Sequence, residues 1–254
     1  MWVICFTHID VGLTQSYMNL KRTLTATAAL AAALQMVSAA DIVGKITLKG
    51  TPPPEKDIQM DANCGKLHPE GNPKTKFFVT DGKGGLGDVF VYIKDGLTGK
   101  TFEVPAEAKV LDQKGCEYSP YVSGVQTKQK LAVRTSDPVL HNVHPTPAVA
   151  GNKESNMAQL PKSKDLEYTF DNQEILLRFK CDVHPWMFAY VGVVSNPYYS
   201  VSEKDGSFKI ANVPAGSYTV EAFHRKGGKV TQQVKVEAGN ATADFTIELK
   251  EEAK

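Results

Sequence analysis

Cys181-Asp182-Val183-His184-Pro185-Trp186-Met187 is the stretch on which the reading of this chain turns. Seven residues carry a thiolate, an imidazole and a thioether. A Cys sulfur is a soft, anionic ligand, a neutral His nitrogen is intermediate, and a Met sulfur is soft and weak. A trigonal His₂Cys set with a long axial Met suits a copper ion that alternates between two oxidation states. The stretch supplies three of those four donors and lacks one imidazole.

The missing imidazole has a candidate upstream, in Ser136-Asp137-Pro138-Val139-Leu140-His141-Asn142-Val143-His144. Together, HNVH and CDVHPWM resemble the small blue-copper proteins, the cupredoxins. The Cys-x₂-His-x₂-Met spacing and the Pro after the second His are most similar to the amicyanin type. The resemblance implies a Greek-key β-barrel in which His141, Cys181, His184 and Met187 bind one type 1 copper ion. It also implies that the Asn142 side chain ties the two ligand loops together. In that family the loop His breaks the surface inside an apolar patch that passes electrons to a partner. Pro145, Pro185 and Trp186 are the candidates for that patch, with Trp186 equally readable as core. The partner expected is another redox protein, such as a cytochrome or a dehydrogenase. The first His of HNVH is the ligand by resemblance. His144 lies on the opposite face of an extended segment and is read as structural.

Two other chemistries compete for the same residues. Zinc accepts Cys and His, but Met is a poor zinc ligand. A catalytic Cys181–His184 pair lacks an orienting third group and an oxyanion donor. Four protein ligands leave no open position for a substrate, so no enzyme activity is expected.

The flanking sequence reads as strands. Leu177, Phe179 and Cys181 alternate with Arg178 and Lys180, so the Cys stands at a strand end and faces inward. Tyr190 to Val194 is a return strand, and Leu131 to Arg134 is a short strand ahead of His141. Asp88 to Ile93 is nearly continuous β-former, which predicts a strand buried on both faces. The glycine-rich run 82–87 precedes a strand and lacks a Lys-Ser/Thr ending, so it is a turn and not a phosphate cradle.

Beyond residue 195 the texture changes. Asp205-Gly206-Ser207-Phe208-Lys209-Ile210-Ala211-Asn212-Val213-Pro214-Ala215-Gly216-Ser217-Tyr218-Thr219-Val220 resembles the carboxypeptidase regulatory-like (transthyretin-like) β-sandwich. The expected organisation is therefore all-β. A cupredoxin-like unit spans residues 41–195, a sandwich module spans 196–250, and a charged tail covers 251–254. A module this short is small for a core of its own. Strands from residues 43–93 are expected either to complete it or to leave it a compact appendage.

Residues 18–40 run from a basic start, Lys21-Arg22, through an apolar stretch at 23–37 to Ser38-Ala39-Ala40. This is the pattern of an export leader cleaved after Ala39 or Ala40, with residues 1–17 either an upstream mis-start or an extension of unknown purpose. The apolar run is shorter than the ~20 residues that cross a bilayer. The expected location is the periplasm or outside the cell, without stable membrane insertion. The whole chain carries 29 basic and 28 acidic residues. Loss of residues 1–40 removes Lys21, Arg22 and Asp10 and leaves the charge balanced, which argues against a nucleic-acid partner.

With Cys181 assigned to the metal and Cys5 in the leader, Cys64 and Cys116 remain. Export favours their pairing; two unlinked thiols are the alternative. Cys64-x₃-His68 is only a lone half-site for another metal.

The function expected is single-electron transfer by outer-sphere exchange. A copper carrier or storage protein is the second reading, though a carrier favours exchangeable Met- or His-rich ligands. A sandwich binding module with a non-redox metal site is the third.

Overall fold

The computed structural model of the protein describes residues 39–249. Residues 1–38 of the leader read over 1–40, and the tail read over 251–254, lie outside the described residues. The chain is almost entirely β, with one short helix, Ala62–Gly65, among the described residues.

The first strand, Ala39–Lys49, alternates buried and exposed side chains, and its length lets it serve several partners. It pairs antiparallel with Ser207–Pro214 and parallel with Ala241–Thr242 and Phe245–Glu248. A second sheet holds Tyr199–Val201, Phe90–Asp95, Gly216–His224 and Gly228–Val236, in that spatial order. The inner faces of the two sheets share one core, with Ile42, Ile46, Val91, Phe208, Val220 and Ile247 at its centre. Strands from both ends of the described chain thus complete the C-terminal sandwich. The strand Ser207–Pro214 runs through Asn212-Val213-Pro214, a segment whose composition reads as a turn. Pairing with Ala39 and Ala40 extends it.

Residues between Asp95 and Asn196 form two further sheets. One orders Val122–Gln126, Phe188–Val194, Glu174–Lys180, His141–Thr146 and Met157–Gln159. The other orders Tyr118–Ser119, Lys109–Gln113, Leu131–Thr135 and Leu166–Tyr168. Leu111, Leu131, Val133, Leu177, Phe179 and Val191 fill the space between them, and Cys181 and Met187 belong to the same core. The alternation read around Cys181 is present: Leu177, Phe179 and Cys181 are buried.

The strand Phe90–Asp95 explains how the two cores meet. Val91 and Ile93 face the sandwich core, while Phe90 and Tyr92 face a third cluster with Val122, Tyr190 and Val194. Phe90 lies flat on the 188–194 strand because residue 192 is glycine. A Cβ there would stand 2.2 Å from Phe90 Cζ. Arg225, just past the end of the strand Gly216–His224, stacks on Phe188 and Tyr190 at 4.8 and 4.6 Å and donates to Tyr121 Oη at 2.8 Å. Cation–π contacts of a half-buried guanidinium contribute about 1 kcal/mol.

Among the described residues no helix is long and apolar enough to cross a membrane.

A candidate metal centre

The centre is assembled at one end of the 141–146, 174–180 and 188–194 strands. His141 opens its strand, Cys181 follows directly after Lys180, and His184 and Met187 lie in the turn before Phe188. That turn closes on itself: Met187 N–H donates to the His184 carbonyl at 2.9 Å, and Cys181 N–H donates to the Met187 carbonyl at 3.0 Å. Strand pairing of Lys180 with His144 on one side and Phe188 on the other brings the two distant segments together. His141, Cys181, His184 and Met187 are all buried.

Three donor atoms converge. A ring nitrogen of His141, Cys181 Sγ and a ring nitrogen of His184 lie within 4.8 Å of one another. His141 Nδ1 and His184 Nδ1 are 3.0 Å apart, and Cys181 Sγ is 3.6 Å from His184 Nδ1. Ligands roughly 2.0–2.3 Å from one shared ion stand about 3–4 Å from each other, so these separations fit a single small cation. Cys181 Sγ also accepts the Asn142 backbone N–H at 3.4 Å, which holds the sulfur in place.

The outer edge of each imidazole meets a carboxylate. His141 Nε2 donates to Asp137 Oδ2 at 2.9 Å. Asp137 is fixed in turn by the backbone N–H groups of Gly115 and Cys116, at 2.6 and 2.7 Å. Burial pushes the Asp137 carboxyl up, but the His141 hydrogen bond and those two N–H groups outweigh it and hold it below its ordinary range. His184 Nε2 lies 3.5 Å from Asp61 Oδ2. Asp61 caps the short helix, accepting Asn63 N–H at 2.8 Å and Cys64 N–H at 3.0 Å. The capping bond from Cys64 is the main reason its carboxyl sits low.

The ring and thiol charges follow from these partners. Burial opposes a charge on His141, yet the Asp137 bond and the neighbouring Cys181 raise its pKa above the ordinary value. Burial also pushes the Cys181 thiol up, but the His141 contact and the backbone N–H groups of Asn142, His184 and Val183 bring it below the usual thiol range. His184 is lowered, first by burial and then by the charge on His141. These shifts favour the sulfur as an anion and keep the His184 ring neutral, the form in which each binds a metal. An ion entering the site would find two ring nitrogens and a sulfur already oriented.

Asn142 bridges the two ligand segments. Its Oδ1 accepts Asp182 N–H at 2.5 Å, and its Nδ2 donates to Asn156 and, at 3.4 Å, to Asp182. His144 stands apart from the donors, with Nδ1 at 2.6 Å from Asp182 and Nε2 at 2.7 Å from Glu154. Of the residues read as a surface patch, Pro185 is exposed and Trp186 is half-buried. Trp186 Nε1 donates to the Cys116 carbonyl at 3.1 Å, and its ring lies 5.3 Å from that of His184. Pro145 is buried opposite Phe179 and lies outside any exposed patch; Val183 and Leu140 are the exposed apolar neighbours of the ligands.

Cys64 and Cys116 form a disulfide. Their sulfurs also lie within 4.8 Å of a His184 ring nitrogen. Neither Asp61 nor Asp137 is singled out by the sequence pattern. Asp137 precedes His141 by four residues in an irregular loop, where no period marks which way a side chain points. Asp61 lies 80 residues before His141 and 120 before Cys181.

No family model matches the chain, and no curated relative does. Among solved structures, a copper(I) amicyanin variant is similar over 36% of this chain and 86% of its own, at 22% identity and a TM-score of 0.31. A reduced amicyanin variant is similar over 41% of this chain and 97% of its own, at 23% identity and the same TM-score of 0.31. The copper-containing nitrite reductase from Thermus scotoductus is similar over 40% of this chain but 26% of its own, at 14% identity and a TM-score of 0.32.

Proposed function

We propose that this chain is an exported mononuclear blue-copper protein that carries single electrons. The observation that carries the reading is the convergence of His141 Nδ1, His184 Nδ1 and Cys181 Sγ in a buried site. Met187, in the same core, is the weak axial ligand. A copper ion held there supplies a one-electron couple. Everything else is the work of the chain. The strand ends fix the sulfur, Asp137 and Asp61 hold the outer edges of the imidazoles, and the core excludes water. Ligands that cannot rearrange keep the two oxidation states alike, which favours rapid outer-sphere exchange. Four side-chain ligands would leave the ion no open position for a substrate, so the reading includes no bond made or broken.

Residues 39–49, 90–95 and 199–248 are read as one transthyretin-like sandwich, with the copper unit inserted between the second and third of its contributing segments. The disulfide supports export to an oxidising compartment, the periplasm by this reading. Exposed Leu140, Val183 and Pro185 beside the ligands are the proposed contact for a redox protein, either a cytochrome or a dehydrogenase. The test is to load the chain with Cu(II) and record visible and electron paramagnetic resonance spectra. Strong absorption at about 600 nm, from sulfur-to-copper charge transfer, is expected. A colourless protein that binds Cu(I) and yields it readily would instead be a copper carrier.

A further inference from the structure

The buried disulfide is linked to both imidazoles through carboxylates, one hydrogen-bonded to His141 and one 3.5 Å from His184 Nε2. The Cys64 half carries Asp61, which caps the helix over Cys64 N–H and faces His184 Nε2. The Cys116 half offers its own N–H, and that of Gly115, to Asp137, which holds His141 Nε2. Trp186, between His184 and Met187, is tied to the Cys116 carbonyl. His68 Nε2 meets the Gly115 carbonyl at 2.7 Å, closing the same segment from the other side. Both cysteine residues are fully buried. A staple added only to restrict the unfolded chain has no need to reach each ligand's outer nitrogen.

We propose that Cys64, Cys116, Asp61 and Asp137 form one positioning clamp that sets both imidazole rings for metal binding. Asp137 accepts from His141 Nε2 and Asp61 stands 3.5 Å from His184 Nε2, which leaves each Nδ1 for the ion. The disulfide fixes the spacing between the two carboxylates and so the angle between the rings. The segment carrying Cys64 also covers the outer edge of His184, which is 4% exposed. A chain without the bond keeps its four donors but loses their alignment. Partners that orient ligating histidines typically change metal affinity 10–100-fold when removed.

The clamp rests on the metal reading for one arm of its test and not for the other. In the full chain loaded with Cu(II), C64S/C116S should release the ion to a chelator at least tenfold faster than wild type, with an altered copper–sulfur band and altered hyperfine splitting. D61N and D137N, with the disulfide intact and melting temperatures near wild type, should each reproduce part of both effects. In the metal-free chain, peptide-mapped alkylation of Cys181 should run at least tenfold faster in C64S/C116S and severalfold faster in each Asn variant. If the Asn variants match wild type in both arms, the disulfide is an ordinary staple and the clamp is wrong, whether or not C64S/C116S folds. If wild type takes up no Cu(II), the electron-carrier reading falls, and the alkylation arm still decides the clamp.

Discussion

Two regions of this molecule bury histidine, and they do it for opposite purposes. In the sandwich, His224 ends a strand, stacks on Phe78 at 5.0 Å and spends its Nδ1 lone pair on the Gly227 N–H at 2.9 Å. At the other site, two buried imidazoles turn Nδ1 toward each other at 3.0 Å, with the Cys181 sulfur at 3.6 Å from one of them. His224 is a satisfied core residue. Its burial, with the nearby charge of Arg225, lowers its pKa to about 4. His141 is pushed the other way, because burial is overcome by Asp137 and Cys181. Burial alone therefore does not make a ligand. Nitrogen and sulfur atoms of several side chains that converge on one point do.

The largest effect that would test this contrast is at the sulfur. Cys181→Ser should abolish the copper–sulfur band altogether and weaken Cu(II) binding by about 100-fold or more, because a hydroxyl is a poor replacement for a soft thiolate. Circular dichroism should show the sandwich intact. Retention of the band would break the comparison outright.

Stability separates the regions next. Loss of the disulfide opens a loop with a sequence separation of 52, and the chain-entropy relation gives a cost of about 4 kcal/mol. Urea unfolding of C64S/C116S should show that loss in the metal unit, with the backbone amides of Gly216–His224 and Gly228–Val236 keeping their protection from hydrogen exchange.

His224 sharpens the contrast through pH. The unfolded chain takes a proton on this ring near pH 6.5, while the folded ring stays neutral down to about 4. Between those values the unfolded state binds more protons. The ring's share of stability is whole above pH 6.5, falls as the pH drops, and levels out below 4. The loss is about 3 kcal/mol across that window. Denaturation midpoints measured from pH 7 to 4 should fall less steeply in His224→Gln. An equal slope would show that the His224 ring titrates normally.

A smaller effect is expected where the two regions join. Gly192→Ala puts a Cβ into the Phe90 ring. Overpacking of this kind costs about 1–3 kcal/mol. A melting temperature lowered by several degrees with an unchanged copper spectrum is expected. An altered spectrum would mean that the join reaches the metal centre.

The parts legible in the sequence are those encoded by neighbours along the chain. Strand alternation placed Cys181 inward, and the Cys-x₂-His-x₂-Met spacing put three donor types into one turn. The Asp205-Gly206 turn and the alternation after it announced the C-terminal strands. Asp88 to Ile93 read as buried on both faces, and Phe90 to Ile93 are so buried. His224, by contrast, stands next to Arg-Lys-Gly-Gly, a composition without strand character, yet it ends a strand and is buried. Composition around a residue does not reveal which sheet it packs beneath.

What the linear chain determined by itself is the β character, the donor types and their local spacing, because side-chain period and ligand chemistry are properties of adjacent residues. Only the tertiary structure decided that Ala39–Lys49 joins strands some two hundred residues away. It alone set Asp61 and Asp137 behind the two imidazoles and bound both carboxylates to a single disulfide. Such contacts depend on the long-range closing of loops and sheets, and no local pattern carries their register.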